Sequence, residues 1–310
     1  MPNRPKQFDI VGFGICTVDF LGLVSKYPEA GQKILMEAFS KQGGGLTGTA
    51  LTAAARLGAK TAYIGKFGQD AYSQFLLDEF QKEGVDVRHV IFKAGAQPPI
   101  SFIHVEKNTG ERRITWHWKA FQIKPEELNQ RIIQNNRILF LDHFFTDAGL
   151  AAVHWIKESG GCVVVDAERL EPRFEDILHL SDYIIASSDF AAEQTRTSDP
   201  EKGAHLLQEK YGGVLVITAG EKGVYCKTPE GKIYQPAFAV QVVDTTGAGD
   251  VFHGAFMVGL LENWPLQKIL EFSAAVAALK CRGLGGRANI PNKQEVLVFL
   301  RTNGTPKFWN

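Results

Sequence analysis

Short apolar, β-branched runs alternate along this chain with longer segments whose apolar residues recur every three or four positions. The runs Phe8–Gly14, Thr61–Gly65, Ile138–Asp142, Cys162–Asp166, Tyr183–Ala186 and Val214–Thr218 predict short strands buried on both faces. Between them the spacing predicts helices at Thr47–Leu57, Ala71–Glu83, Glu126–Asn135, Leu150–Ser159 and Glu201–Tyr211. Strands that alternate with helices point to an α/β fold, a mainly parallel sheet with helices on both sides. Ligands of such folds sit beyond the carboxyl ends of the strands.

One stretch departs from this rhythm. Ile100–Glu106 and Arg112–Trp118 read as two strands joined by Lys107-Asn108-Thr109-Gly110, a hairpin turn. In the second strand Ile114, Trp116 and Trp118 share one face, and Thr115, His117 and Lys119 the other. A hairpin in this position predicts a small β appendage, to which residues from Ile15 to Gln42 add strands. The expectation is one domain over 1–310, with the appendage built from about 15–42 and 98–120. The tail, Thr302 to Asn310, reads as loosely held.

Charge narrows the partners. Lys plus Arg and Asp plus Glu both number 34, so the net charge is zero. No long-range field favours nucleic acid or an anionic membrane, and any anion recognition has to be local. No apolar stretch reaches membrane-spanning length, and Met1–Gln7 lacks the apolar core of a signal peptide. Cys16, Cys162, Cys226 and Cys281 show no metal-type spacing and lie in apolar surroundings. Buried thiols in a reducing compartment, the cytoplasm, are the expectation.

The chemistry concentrates in Val242-Val-Asp-Thr-Thr-Gly-Ala-Gly-Asp250, followed at once by a helix-forming run. Gly247 and Gly249 let the backbone turn and expose its amides, and the helix behind them adds its unpaired N-terminal N–H groups. That is an anion site with one carboxylate, Asp250, inside it. An acid beside an anion trap suits acceptance of a hydroxyl proton while a phosphoryl group is held. The helix dipole is expected to lower the Asp250 pKa and keep the group ionised. A second glycine-rich turn, Gly43-Gly-Gly-Leu-Thr-Gly-Thr-Ala50, opens an alanine-rich helix. A third, Thr218-Ala-Gly-Glu-Lys-Gly223, follows a strong apolar strand. No Gly-x-x-x-x-Gly-Lys-Ser/Thr loop and no His-Arg-Asp loop is present, which excludes P-loop and protein-kinase mechanisms. Gly12-Phe-Gly14 suggests a dinucleotide turn, but Thr17 stands where its third glycine belongs, so a dehydrogenase is disfavoured.

The string Val242–Asp250 resembles the C-terminal signature of the PfkB, or ribokinase-like, carbohydrate kinases, and Gly43–Gly58 resembles their N-terminal one. The resemblance spans Asp9 to Pro291. It implies a ribokinase-like three-layer α/β/α fold with a small β-sheet lid that also serves as a homodimer surface. It implies that Gly247, Ala248 and Gly249 steady the transferred phosphate and that Asp250 is the base. Asp19, Gly44, Gly45 and Thr49 would then bind the sugar, and Thr218, Gly220 and Gly223 would line ATP. Mg2+ would accompany the nucleotide. A K+ site would use backbone carbonyls near Asp244 and Thr246 and in Gly283–Gly286.

The departures matter too. Ribokinases carry Lys and Asn where this chain has Leu46 and Thr49, so it looks closer to ketohexokinases, fructokinases and bacterial sulfofructose kinases. The family's metal-organising Asn-x-x-Glu is replaced by Ser187 and Phe190, and its adenine-side Asn by Ala274. The implied activity is transfer of the ATP γ-phosphate to a ketose hydroxyl. A nucleoside kinase on the same fold and a non-catalytic sugar-binding regulator stand as alternatives. Lys119, His143, Arg112 and Arg113 are candidates for a sulfonate partner.

Overall fold

Alternate side chains of the central strands feed two different cores, as a sheet covered on both faces requires. Ile138, Phe140, Val164, Ile185 and Val216 fill one core. Their neighbours Leu139, Leu141, Val163, Val165, Ile184, Leu215 and Ile217 fill the other. The computed structural model describes residues 6–119 and 121–309. Residue 120, at the end of the second expected appendage segment, lies outside them, as do 1–5 and 310.

The chain opens with β1 (Phe8–Phe13), β2 (Thr17–Val24), β3 (Ala38–Gly44) and α1 (Leu46–Arg56). There follow β4 (Thr61–Ile64), β5 (Lys66–Phe67), α2 (Ala71–Lys82), β6 (Ile91–Phe92), β7 (Ile100–Glu106) and β8 (Arg112–His117). The middle holds α3 (Gln130–Gln134), β9 (Asn136–Leu141), α4 (Thr146–Glu158), β10 (Cys162–Ala167), α5 (Phe174–Leu180) and β11 (Tyr183–Ser187). Next come α6 (Ser188–Thr195), α7 (Pro200–Tyr211), β12 (Val214–Thr218), β13 (Val224–Lys227) and β14 (Lys232–Gln235). The helices α8 (Ala248–Leu261), α9 (Leu266–Lys280), α10 (Lys293–Asn303) and α11 (Pro306–Trp309) close the chain.

The main sheet has eight strands in the order β14-β13-β12-β11-β10-β9-β1-β4. It is parallel from β12 to β4, and β13 runs the other way, antiparallel to both β12 and β14. Helices α1, α2, α8, α9 and α10 cover one face, and α3 to α7 the other. A second sheet, β3-β2-β7-β8, draws on the two segments where the sequence predicts the appendage. Its register sets Asp19 opposite Gln42 and Ser101, and Ser101 opposite Trp116. Directly paired residues share a face, so these four form one row across the sheet.

Two expectations are corrected. The helix predicted over Glu126–Asn135 is interrupted at Leu128, whose backbone is extended between a 3-10 turn and α3. There the Glu127 carboxylate turns to the otherwise buried ammonium of Lys66, at 2.7 Å. Nor is the tail loose. Trp309 is buried against Trp264 and Phe272 and donates its indole N–H to Glu271 Oε2 at 2.5 Å. Glu271 Oε1 accepts the Thr305 amide and hydroxyl. One buried carboxylate thus anchors a segment that its polarity alone marks as free.

Candidate active site

At the start of α8, Gly247 is the N-cap, with φ +74°, and no side chain caps the helix. A Cβ on Gly247 would lie 2.8 Å from the Gly286 Cα, so both conformation and space demand glycine. The first amide to enter the helical ladder is that of Val251, bonded to the Gly247 carbonyl at 3.0 Å. The amides of Gly249 and Asp250 precede it and make no hydrogen bond among the described residues, as the first amides of a helix do. Gly249 is exposed, and a Cβ there would meet nothing within 4 Å.

Asp250 follows in the same first turn, half-buried, and its carboxyl makes no hydrogen bond among the described residues. Its pKa is pushed up to about 8, first by burial and then by the carboxylate of Asp166, with His253 and Arg112 pulling the other way. This reverses the expectation of a lowered value: desolvation and a like charge outweigh the helix N-terminus. Asp166 itself sits buried at the end of β10, raised well above the ordinary range by burial and the neighbouring Glu168 and Asp142 carboxylates. One turn after Asp250, His253 points Nδ1 at the Gly249 carbonyl (2.6 Å) and Nε2 at Asp166 Oδ1 (3.5 Å). A carbonyl only accepts, so Nδ1 carries the proton there. Burial lowers the His253 pKa, and the Gly249 carbonyl, Asp250 and the Ile185 carbonyl pull it back.

The second glycine turn is built from denser contacts. Gly45 is the N-cap of α1 with φ +81°, again without a side-chain cap. Asp19 lies within β2, buried, and accepts the Thr17 hydroxyl at 2.6 Å. A Cβ on Gly44 would fall 1.9 Å from Asp19 Oδ2, so glycine there is what lets the carboxylate lie against the turn. Burial raises the Asp19 pKa, while Thr17, Arg287 and Ser101 pull it back. Thr49 is buried on α1, its hydroxyl 3.5 Å from Arg287 Nε. The two turns approach each other at Gly286, whose Cβ would stand 3.8 Å from the Thr49 hydroxyl and whose Cα abuts Gly247. Helices α1 and α8 touch through small residues, with Gly254 against the Ala50 carbonyl and the Ala53 methyl.

Thr218, Gly220 and Gly223 line a groove of about 700 Å³ together with Ala248 and Gly249. The third glycine turn and the anion turn are therefore two ends of one cleft. Val240, Phe252, Ala274, Ala277 and Ala278 give it an apolar wall. Ser187 caps α6 through the Phe190 amide, and Phe190 is buried in the core. From β8, Arg112 Nη1 reaches the Thr245 hydroxyl at 2.8 Å, so the second sheet touches the anion turn.

One expected cation ligand, the Asp244 carbonyl, meets a cation of the chain's own. The Asp244 carboxylate ties down its loop, Oδ1 accepting the Thr246 amide and hydroxyl and Oδ2 the Gly285 amide. The Asp244 carbonyl accepts the buried Lys280 ammonium at 3.0 Å.

The family model for pfkB family carbohydrate kinases matches residues 7–293. The chain belongs to that family. Among its relatives, a probable fructokinase-5 of Arabidopsis thaliana is 31% identical over 97% of this chain and 99% of its own length. The ribokinase of Haemophilus influenzae is 28% identical over 93% of this chain and 96% of its own. A putative ribokinase II from E. coli, solved in complex with ATP and Mg2+, superposes with a TM-score of 0.82 over 95% of this chain and 99% of its own. At 19% identity that likeness shows the fold. This carbohydrate kinase is a phosphotransferase with an alcohol group as acceptor.

Several residues packed around the glycine turns escape a reading of motifs. Arg287, 4% exposed, bonds the Gly44 carbonyl at 2.7 Å and stacks its guanidinium over the Phe80 ring. Asp142, just past β9, accepts the Ile15 amide and the Thr47 hydroxyl at 2.7 Å each, and burial raises its pKa to about 6. Asp166 and His253 complete the set. Each carboxylate ends an apolar strand, a signal weaker than a glycine string. Arg287 carried no signal beyond a glycine-rich neighbourhood.

Proposed function

We propose that the enzyme transfers the γ-phosphoryl group of ATP to a hydroxyl of a fructose-like ketose, with Asp250 as the base. The observation that carries this reading is the Asp250 carboxyl, without a hydrogen bond among the described residues, beside the free amides of the α8 N-terminus. The acceptor sugar lies against Asp19, Gly44, Gly45 and Thr49, with the second sheet over it as a lid. ATP runs along Thr218, Gly220 and Gly223, its γ-phosphate at Gly247, Ala248 and Gly249. The sugar oxygen bonds to phosphorus as the bridging P–O bond breaks, and ADP leaves with the electron pair. Asp250 takes the hydroxyl proton. Its raised pKa makes it a stronger base than an ordinary carboxylate, at the cost of being mostly protonated in the free enzyme near neutrality.

The nucleotide would bring Mg2+, which would offset phosphate charge. Among the described residues no cluster of three His, Cys, Asp or Glu side chains could hold a metal, and Phe190 removes the carboxylate of the family's metal motif. Phosphate oxygens and water suit Mg2+ well. The ketose reading is supported by the fructokinase relative, by Leu46 and Thr49, and by Trp116, which shares a face with Asp19. The opposite face of the second sheet exposes Phe39 and Phe102, stacked on either side of Phe20. It is the surface through which two copies would pair in the cytoplasm.

Measurement of ADP release over fructose, ribose, phosphorylated and sulfonated ketoses, 2-keto-3-deoxygluconate and nucleosides tests the assignment. The expected result is highest kcat/KM for a ketose and loss of turnover in Asp250→Asn. Preference for nucleosides, or sugar binding without ATP consumption, would replace this reading by a nucleoside kinase or a regulator.

A further inference from the structure

We infer that the Lys280 ammonium is a built-in monovalent cation: it holds the Asp244 carbonyl where the family resemblance calls for K+, so this enzyme needs no added K+. Lys280 is the last residue of α9, a place where lysines usually run to solvent or to their own helix carbonyls. Here the side chain is 0% exposed and leaves its helix to reach Asp244. Among the described residues the Asp244 carbonyl is its one hydrogen-bond acceptor, and it forms no ion pair. A buried charge with so little compensation adds nothing to stability that an apolar side chain would not. What it does supply is one positive charge fixed on a carbonyl three residues before Gly247.

Ammonium and potassium are close in size, carry the same charge and both seek carbonyl oxygens. Two such cations at one carbonyl in a dry interior repel each other strongly. The loop is already shaped for the tethered one. Asp244 spends both carboxylate oxygens on Thr246 and Gly285, which turns its carbonyl inward and joins the two halves of the expected site. Burial lowers the Lys280 pKa while Asp244, Cys281 and Asp250 pull it back up. The charge held at Asp244 would offset phosphate charge without an ion having to bind. Lys280 is thus a positioning residue. It touches neither reactant.

The inference rests on the phosphotransfer reading for its activity arm only. Wild-type turnover in tetramethylammonium, sodium and potassium chloride at equal ionic strength should agree within about twofold, as expected if no ion binds. Lys280→Ala, which opens space, should lose turnover by about tenfold to a hundredfold. Potassium chloride, and not sodium chloride, should restore it. Lys280→Met, which fills the space without a charge, should lose turnover with no rescue. A second readout is the melting temperature without substrates: potassium should raise it in Lys280→Ala and leave wild type unchanged. Marked K+ activation or stabilisation of wild type would overturn the inference. So would an alanine variant indifferent to K+ in both readouts, or a fully active methionine variant. Were wild type inactive on every sugar, the proposed function would fail while the melting arm still decided this point. Were Lys280→Ala unable to fold, Lys280→Gln and the wild-type ion series would decide it.

Discussion

The N-termini of α1 and α8 use the same backbone device and hold their acids in opposite ways. Both helices begin at a glycine of positive φ, Gly45 and Gly247, and neither is capped by a side chain. Elsewhere Asp70, Ser187, Asp199 and Asn292 close helices in the ordinary manner. At α1 the acid is clamped: Asp19 is bonded by Thr17, pressed against Gly44 and countered by Arg287. At α8 the acid has no hydrogen-bond partner among the described residues and its pKa is pushed up to about 8. On the proposed function, one turn would hold hydroxyl groups and the other would take a proton. Electrostatic surroundings, not backbone geometry, separate the two roles.

Asp250→Asn is the harshest way to break this contrast. Turnover should fall by about a hundredfold or more, the usual contribution of a general base, while sugar affinity by calorimetry stays near wild type. Retained turnover would remove Asp250 from the chemistry. Asp19→Ala should do the converse, raising the sugar KM by about tenfold to a hundredfold for the loss of charged hydrogen bonds, with a smaller effect on kcat. Equal loss of kcat and kcat/KM in both variants would erase the proposed division.

Two glycine substitutions sharpen it. A methyl on Gly44 must displace the Asp19 carboxylate, so Gly44→Ala should weaken sugar binding and leave the ATP KM alone. A methyl on Gly249 meets nothing in the protein, so Gly249→Ala should keep the wild-type melting temperature. Any loss of kcat there would report the phosphate. The smallest effect concerns pH. Asp250 shifts from 3.8 to about 8 on folding, so the folded state keeps a proton that the unfolded state has released. Its contribution to stability therefore falls as pH rises through that window. Asp250→Asn escapes the loss, and its melting temperature relative to wild type should climb from pH 5 to pH 8. Over the same range wild-type kcat/KM should rise. A flat difference in melting temperature would contradict the shift.

The main sheet was legible because buried parallel strands leave a continuous apolar record. Val214–Thr218 is found where the pattern places it, and the other core strands differ by a residue or two at their ends. The glycine turns were legible because glycine conformations leave a mark in sequence. The Asp250 pKa was not, since Asp166 and Glu168 lie some eighty residues away and come near only through the fold. Arg287 and Lys280 were hidden for a similar reason: a basic residue reads as surface until the structure buries it. The hairpin of β13 and β14 is too short to show a period at all.

Helix α9 links places that look unrelated. Its Ala274 and Ala277 wall the cleft, its Lys280 supports the loop before Gly247, and its Glu271 is pinned by Thr305 and Trp309. A truncation at Pro306, or a bulky fusion in its place, would strip the indole from that carboxylate and free the helix to shift. Whoever prepares this protein should therefore put the affinity tag at the other end of the chain.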